Sequence, residues 1–449
     1  MSRLWDKGEA LDAAVARLTV GRDPELDRRL LAFDALASAA HATMLESIGV
    51  LGRDELQQLL GELRTIASEA EAGEFSIEPA DEDGHTAIEN RLTERLGDAG
   101  RRIHTGRSRN DQVIAALRLW AREALLDLAQ ELSAVAGKLT ELATEHAATS
   151  VPGFTHTRQA MTTTLGHFFA AYAENLLDHQ PWLECAWQHL DRSPLGSASG
   201  FGVALPLDRQ LIGDLLGFGS VQRNTLAVQN DRGRTEALVL GVAAAATTDL
   251  GRLARDLISY SGEAYGFVAL GPETTTGSSI MPQKRNPDPL EIIRAAATRC
   301  RHLAGQVADL YGGLGAGYHR DLQLTKEPFL EGMVLATDCL RTVQPVLASL
   351  VVDSDRCRDA ILPATAATDA IYAQVEQGLP FRDAYRRVGK GPETAFAGDP
   401  TTSWQRRTHL GAPGDSDFDY LSQRRATGDR WLAARRQEVS AVWSWFAGQ

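Results

Sequence analysis

One long stretch constrains the fold more than any other part of the chain. From Val113 to about Ala148, apolar residues recur every three or four positions without a break, which is the spacing of one face of an α-helix. These apolar positions are Val113, Leu117, Trp120, Ala124, Leu128, Leu132, Val135, Leu139 and Leu142. A helix of that length would extend about 54 Å at 1.5 Å per residue. The sequence therefore predicts a single long helix here.

Four further stretches have helical spacing, at about residues 159–190, 226–265, 289–312 and 327–352. The stretch at 226–265 contains ALVLGVAAAATTDLGRLARDL, which is apolar over much of its surface and must be covered on several sides. Five such helices predict an elongated bundle. The faces made of small residues predict that bundles from several subunits pack together, so we expect a homo-oligomer.

The flanking regions are also mostly helical, but in shorter segments. Helices are predicted through DPELDRRLLAFDALASAAHATMLESIGVL and DELQQLLGELRTIASEA in the first hundred residues. Residues 192–209 are rich in Gly and Pro and predict a turn-rich excursion. Near the end, two short helices should break at residues 378–380, a Pro/Gly/Thr-rich stretch covers residues 391–416, and a terminal helix carries Trp431, Trp443 and Trp445.

Composition limits the classes of function. The net charge is −13 over 449 residues, so the chain has no basic excess to neutralise nucleic-acid phosphates. The four cysteines, Cys185, Cys300, Cys339 and Cys357, form no CxxC pair, which favours reduced core thiols in a cytoplasmic protein. The first residues lack an apolar signal core, and no uninterrupted apolar run reaches the roughly 18 residues of a membrane span.

The run GPETTTGSSIMPQKRNPDPLE at residues 271–291 has no packing explanation. Composition alone favours a polar surface loop before a helix. The functional interpretation is a mobile loop of small residues that closes over an anionic ligand, with Lys284 and Asn286 stabilising negative charge. Ser278 has no local partner base, so a role as a base requires that Lys284 and N–H donors stabilise its alkoxide.

Three other polar stretches are candidates for a site. In residues 106–112, Ser108 or Asn110 can cap a helix, and Arg109 with Asn110 can bind an anion at a helix start. The run PGFTHT places Thr155 and His156 before a predicted helix, either as a capping pair or as functional groups. Tyr318, Gln323 and Lys326 in YHRDLQLTK can all hydrogen-bond a polar ligand.

The usual motifs of other chemistries are missing from the sequence. It contains no HExxH, Walker loop, GxGxxG after a strand, or GxSxG elbow. We therefore expect no metal and no cofactor.

Taken in order, these motifs resemble the argininosuccinate lyase family of the fumarase/aspartase superfamily over nearly the whole chain. The matching runs are HTGRSRNDQV, PGFTH, SPLGS followed by PLDR, GSSIMPQKRNPD, GYHRDLQLTK and PFRDAY. The resemblance implies a mainly α, three-domain protomer, with an N-terminal helical domain at 1–107, a central long-helix bundle at 108–355 and a small helical domain at 356–449. It also implies a homotetramer with a twenty-helix core, in which each active site draws on three subunits.

The resemblance implies a reversible elimination that converts argininosuccinate to arginine and fumarate, in arginine biosynthesis. Ser278 would remove the Cβ proton and His156 would protonate the leaving guanidinium nitrogen, although the base and acid roles of these two remain open. Lys284 and Asn286 would hold the fumarate-side carboxylates, and Glu291 would partner His156 from another subunit. The implied substrate-binding residues are Asn110, Thr155, Tyr318, Gln323 and Lys326, with Ser108, Arg109 and Arg232 as weaker matches.

Some positions depart from the family's pattern. Asp23 stands where many members have a serine at the arginine end, and NTLAVQNDRGRTE follows the segment around Arg232 only loosely. Two other functions stay open: a related lyase for another succinyl substrate, such as adenylosuccinate, aspartate or malate, and a structural protein without activity. The trio Tyr318, Gln323 and Lys326 favours the arginine-bearing substrate.

Overall fold

The computed structural model describes residues 12–78, 81–391 and 398–448. Two expectations lie partly outside the described residues. The absence of a signal core concerns mostly residues 1–11, and the Pro/Gly/Thr-rich stretch includes residues 392–397. The described chain is mainly α-helical, and its strands are short and paired two by two.

The elements follow one another from the N-terminus to the middle of the chain as α1 Ala13–Val20, α2 Asp23–Asp27, α3 Leu31–Ser47, α4 Arg53–Glu71, α5 Gly84–Leu96, α6 Asp98–Arg102, α7 Arg109–Glu145, β1 Ser150–Thr155, β2 Arg158–Thr164, α8 Leu165–Leu177, α9 Gln180–Leu190, β3 Arg192–Ser193, α10 Arg209–Leu215, β4 Ser220–Val221 and α11 Thr225–Asn230. The second half continues with α12 Arg234–Ser261, β5 Val268–Ala269, α13 Asp288–Gly312, α14 Lys326–Ala348, β6 Val351–Val352, α15 Ser354–Asp359, α16 Ala367–Glu376, α17 Phe381–Lys390 and α18 Asp419–Ala447.

The long central helix is confirmed: α7 has 37 residues. It packs against α8 and α14, while α12 packs along α13 and α14, and these helices share one continuous apolar core. The helices α13 and α14 lie where the sequence predicted them. The elongated bundle is therefore confirmed within one protomer.

Two of the predicted long helices are wrong in extent. Residues 159–190 form β2, α8 and α9, because β2 pairs with β1 and Pro181 starts a new helix. Residues 226–265 divide into α11 and α12 at Gly233. Its φ of +84° lies outside the range of a right-handed α-helix.

By length and composition, the helical stretch Thr225–Ser261 would be long and apolar enough to cross a membrane. However, 61% of its apolar window is buried inside the protomer. Its neighbours in the bundle thus provide the covering that its Ala-rich surface requires.

The N-terminal helices form a second apolar core, made mainly by α3, α4 and α5. The last helix, α18, returns along α7 and contacts both cores. Trp443 donates its indole N–H to Glu123 of α7 at 2.5 Å, and Arg64 of α4 donates to the Phe446 carbonyl at 2.5 Å. The break between α16 and α17 and the terminal helix are confirmed, whereas the three domain boundaries stay a prediction.

The cysteine prediction is confirmed for three residues and wrong for one. All four thiols are free; Cys300, Cys339 and Cys357 are buried, but Cys185 on α9 is exposed. Burial raises the pKa of the Cys339 and Cys357 thiols to about 12, so these two are poor nucleophiles.

Candidate active site

A cavity of about 360 Å³ lies where the start of α7 meets the segment before α14. This volume is typical of small-molecule sites. Seven of the predicted site residues line it: Ser108, Arg109, Asn110, Arg232, Tyr318, Gln323 and Lys326. The remaining lining residues are Asp23, Asp83, His104, Val113 and Arg320.

The start of α7 is fixed by a capping box. The Ser108 hydroxyl accepts from the Asn110 N–H, and Asp111 accepts in return from the Ser108 N–H at 2.9 Å. The other oxygen of Asp111 accepts from the N–H groups of Gly196 and Ala198. Burial nevertheless raises the pKa of Asp111 to about 6. The capping role predicted for Ser108 is thereby confirmed, and it holds Arg109 and Asn110 at the cavity wall.

Arg109 is not a free anion-binding group in this arrangement. Its guanidinium forms an ion pair with Asp83, which is the N-cap of α5, and a longer one with Glu82 at 3.4 Å. These contacts tie the start of α5 to the start of α7. Arg109 therefore positions the cavity wall within the protomer.

Lys326 is the most deeply buried cation of the cavity. Its ammonium donates to Asp23 at 2.9 Å and to Asp27 at 2.5 Å. Burial opposes the charged form, but the charges of Asp27 and Asp23 raise the pKa of Lys326 above its usual value. Lys326 therefore stays cationic with one of its three N–H donors left for a ligand.

Gln323 and Arg232 complete the wall on this side. The Gln323 amide donates to the carbonyls of Thr19 and Val20, which leaves its oxygen as an acceptor. The guanidinium of Arg232 stacks on the Tyr318 ring, 5.2 Å from its centroid, and this contact orients both side chains.

Sequence reasoning missed two lining residues and assigned no role to a third. Asp83 could have been found, because DEDGHT has an acidic N-cap before a helical pattern. Arg320 gave no signal beyond its charge. The motifs give His104 no role; burial lowers its pKa to about 4, so it lines the cavity as a neutral imidazole.

Thr155 and His156 lie elsewhere, at the exposed tip of the β1–β2 hairpin. The expectation that they precede a helix is wrong: strand pairing runs to Thr155 and Arg158, and the turn between them places His156 at φ +51° and Thr157 at φ +61°. The hairpin follows the far end of α7, a helix of 37 residues that spans about 55 Å.

Residues 276–286 form a loop that is closed at its base, where Thr276 and Asn286 pair through their main chains. The Ser278 hydroxyl accepts from the Met281 N–H at 3.2 Å, and the Asn286 amide donates to the Gly277 carbonyl at 3.4 Å. Lys284 is exposed, and within the described residues its ammonium has no ion-pair partner. The loop is therefore open to solvent in the protomer.

Glu291 lies on the exposed first turn of α13, just after this loop, and is 3.9 Å from Arg294. The cavity lies at the other end of α13, since Gly233 beside Arg232 packs against Tyr311. The 25 residues of α13 span about 37 Å. One protomer thus brings seven of the predicted residues together and leaves Thr155, His156, Ser278, Lys284, Asn286 and Glu291 far from that cavity.

Known proteins are similar to this chain over most of its length. The Lyase family model matches residues 19–301. An argininosuccinate lyase of Sorangium cellulosum is 44% identical over 94% of this chain and 98% of its own length. One from Stenotrophomonas maltophilia is 41% identical over 94% and 98%.

Solved structures share the fold. A crystal structure of EDDS lyase in complex with formate superposes with a TM-score of 0.81 at 23% identity, covering 98% of this chain and 95% of the other. The class II fumarase of Schistosoma mansoni gives a TM-score of 0.73 at 14% identity, covering 88% and 95%.

The helical bundle and the matching family model define a lyase with the fumarase/aspartase fold. Within that class, the identity of 41–44% to these two relatives over 94% of the chain shows that it belongs to the argininosuccinate lyase family.

Proposed function

We propose that this protein is a carbon–nitrogen lyase that converts argininosuccinate reversibly to L-arginine and fumarate, in arginine biosynthesis. The observation that carries the proposal is the 44% identity to a curated argininosuccinate lyase over 94% of the chain. The cavity supports it, because its wall places Tyr318, Gln323 and Lys326 together, with hydrogen-bonding groups for the arginine end of the substrate.

The proposed chemistry needs groups that the cavity lacks. Removing a proton next to a carboxylate builds negative charge, and the barrier falls only if fixed donors meet that charge. Lys284 and Asn286 would hold the carboxylates of the fumarate half. One of Ser278 and His156 would remove the Cβ proton, and the other would protonate the leaving nitrogen; which residue is the base and which the acid stays open.

We therefore propose a homotetramer with shared active sites. Within one protomer, the Ser278 loop and the cavity lie at opposite ends of α13, about 37 Å apart, and His156 lies beyond the far end of α7. Reacting atoms must come within about 3–3.5 Å of one another, so neighbouring subunits would have to supply the residues that one protomer holds so far apart. In this assembly Thr155 and His156 come from one neighbour, and the Ser278 loop with Glu291 from another. A cytoplasmic location stays a prediction.

A substrate panel tests the activity. The purified protein is mixed with argininosuccinate, adenylosuccinate, aspartate and malate in turn, and fumarate is followed by its ultraviolet absorbance. We expect rapid fumarate release from argininosuccinate and far less from the other three. Equal or faster release from adenylosuccinate would replace this proposal with the related succinyl lyase, and no release from any compound would favour a structural role.

A further inference from the structure

A second cavity, of about 580 Å³, lies beside the hairpin that carries His156. We call it the hairpin cavity. Its walls are one face of α8, the last turns of α12 with the turn that follows, and the base of the β1–β2 hairpin. None of the residues assigned to the proposed reaction lines it. Its volume is typical of small-molecule sites, so it is a candidate for a ligand other than the substrate.

The walls of the hairpin cavity are aromatic on three sides. On α8, the rings of Phe168 and Tyr172 lie 5.2 Å apart, and α12 adds Tyr260 at 5.1 Å from Phe168. Tyr265, in the turn after α12, packs edge-on against Phe154 of the hairpin at 5.4 Å. All five rings line the cavity. Such walls favour a ligand with a flat apolar body, through stacking and edge contacts.

The polar groups that remain available in the hairpin cavity can all donate hydrogen bonds. Within the described residues, neither the Arg255 guanidinium, the Asn175 amide nor the hydroxyls of Tyr260 and Tyr265 have a hydrogen-bond partner, and all four residues line the cavity. Burial and the charge of Asp256 raise the pKa of Tyr260 above its usual value, so its hydroxyl stays protonated. Donors gathered in one cavity favour a ligand that accepts hydrogen bonds.

The charges of the hairpin cavity favour an anion. Arg252 and Arg255 line it together with one carboxylate, Asp256. That carboxylate already accepts from the Tyr172 hydroxyl at 2.6 Å, and Arg252 stands one turn before it on α12. Arg252 also lies 3.7 Å from Asp249. Arg255 is therefore the cation that is left to pair with a ligand, and guanidinium groups bind carboxylates and phosphates well.

The histidine of the hairpin cavity is already engaged. The Nδ1 atom of His167 lies 3.0 Å from the Thr163 hydroxyl oxygen, and its Nε2 lies 3.2 Å from the Gly411 carbonyl oxygen. With both ring nitrogens occupied, His167 is a wall residue rather than a ligand-binding group. The anion-binding role thus falls to Arg255 with the donors around it.

The hairpin tip depends on its surroundings for its conformation. His156 and Thr157 both have left-handed backbones, with φ of +51° and +61°. This conformation is unfavourable for a β-branched residue such as Thr157, and packing around it must hold it in place. Thr157 also lines the hairpin cavity, as does Phe154 on the other side of His156. A ligand in the cavity would therefore contact the hairpin on both sides of His156.

We propose that the hairpin cavity binds a small aromatic anion, an aryl phosphate or aryl carboxylate, with Arg255 pairing with the anionic group and Tyr260 and Tyr265 enclosing the ring. The bound molecule fixes the hairpin and so controls the position of His156. The binding site stands on the cavity alone, and only the consequence for catalysis rests on the proposed function.

Binding of phenyl phosphate tests the site directly. Isothermal titration calorimetry on the full-length protein compares phenyl phosphate with inorganic phosphate, which lacks the ring, and with benzyl alcohol, which lacks the charge. We expect phenyl phosphate to bind at least about 10-fold more tightly than either, because ring burial and a charge-assisted hydrogen bond are each worth about that factor.

Variants should separate the two parts of the site. Arg255→Gln should remove the preference over benzyl alcohol. Tyr265→Leu should remove most of the preference over inorganic phosphate, whereas Tyr265→Phe, which keeps the ring, should retain it. Arg430→Gln is the matched control for a lost charge, at an exposed arginine of α18 that does not line the cavity. Lys284→Ala should bind phenyl phosphate like wild type, because Lys284 belongs to the proposed active site.

Hydrogen exchange measures the effect on the hairpin. With phenyl phosphate bound, mass spectrometry should show slower amide exchange in residues 150–164 and no change in α3 and α4, since ligand contacts suppress local opening. Arg255→Gln should lose this protection at the same concentration of phenyl phosphate.

Three results would overturn the binding site. These are wild-type protein that binds phenyl phosphate no more tightly than inorganic phosphate, Arg255→Gln with wild-type affinity, and Lys284→Ala that loses the binding, which would place the ligand in the active site. Unchanged exchange in the hairpin with phenyl phosphate bound would overturn the control of His156. Phenyl phosphate binding by a protein that releases no fumarate from argininosuccinate would instead refute the proposed function and support the site.

Discussion

Thr276 and Asn286 are joined by two main-chain hydrogen bonds, from the Thr276 N–H to the Asn286 carbonyl at 3.1 Å and from the Asn286 N–H to the Thr276 carbonyl at 2.8 Å. This pair closes the base of the loop that carries Ser278 and Lys284. The exposed middle of the loop can therefore move while its two ends stay together. That combination suits a lid that must deliver a side chain to a fixed place.

Replacing Thr276 by proline should impair the lid. Thr276→Pro removes one of the two main-chain donors, so Ser278 should be misplaced and kcat should fall roughly 10- to 100-fold, as measured by fumarate release. The melting temperature should change little, since Thr276 is exposed. Thr276→Val is the control, because it also loses the hydroxyl contact with Asp288 but keeps both main-chain bonds. Equal kcat in the two variants would show that the base of the loop does not position Ser278.

The acid–base groups can be tested by conservative replacement. Ser278→Ala and His156→Asn should each lower kcat by roughly 10²- to 10⁴-fold, the usual loss for an acid–base group. Asparagine suits position 156 because it tolerates the left-handed backbone found there. Circular dichroism should show unchanged helix content. Rates close to wild type in both variants would mean that these roles are misassigned.

Shared active sites predict complementation between inactive proteins. Ser278→Ala and His156→Asn subunits, mixed and allowed to exchange, should regain part of the wild-type activity, because some sites then take Ser278 and His156 from intact subunits. Each variant mixed with itself is the control. If mass spectrometry shows mixed tetramers and activity stays at the level of the single variants, the sites are not shared in this way.

The sequence predicted the bundle well where apolar spacing was long and continuous. The helices α7, α13 and α14 follow from that spacing, because a periodic stripe of this length has no other way to be buried. It failed at residues 159–190, where the first residues form β2 and pair with the preceding strand β1 in a hairpin. Such pairing leaves little mark on local periodicity, so the spacing predicts one helix where the fold has a strand and two helices.

The same distinction applies to the site. Motifs identified Tyr318, Gln323 and Lys326, and the cavity brings them together. Motifs could not show that Lys326 is shared by Asp23 and Asp27, or that Arg109 is engaged by Asp83, since these partners are distant in sequence. The stack of the Arg232 guanidinium on the Tyr318 ring likewise forms only in the folded chain.

His41 should make the protein sensitive to acid. It is completely buried on α3, and its Nε2–H donates to the Thr105 carbonyl oxygen at 2.9 Å. Burial, followed by the charge of Arg107, lowers the pKa of His41 to about 3 from 6.5. Below pH 6.5 the unfolded chain binds a proton that the folded chain does not, so stability is lost as the pH falls toward 3. From this residue alone, the free energy of unfolding should be about 2 kcal/mol lower at pH 5 than at pH 7.

The dependence on His41 can be isolated by difference. His41→Gln keeps a donor for the Thr105 carbonyl but cannot titrate, so urea unfolding of this variant should lose less stability between pH 7 and pH 5 than wild type. His409→Gln, at an exposed histidine, should leave the wild-type dependence intact. Identical dependence in wild type and His41→Gln would show that His41 is not the group that titrates.

Gly100 is the point of closest approach between α5 and α6. A Cβ atom at Gly100 would lie 2.2 Å from the Leu92 carbonyl oxygen and 2.5 Å from the Thr93 nitrogen. These are main-chain atoms of α5, so the two helices would have to separate. Gly100→Ala should therefore destabilise the protein by about 1–3 kcal/mol and lower the melting temperature. Gly61→Ala, in the middle of α4 with no heavy atom within 4 Å of the new Cβ, should instead stabilise it by about 0.5–1 kcal/mol through helix propensity. Equal shifts for the two variants would mean that α6 does not pack on α5 at this distance.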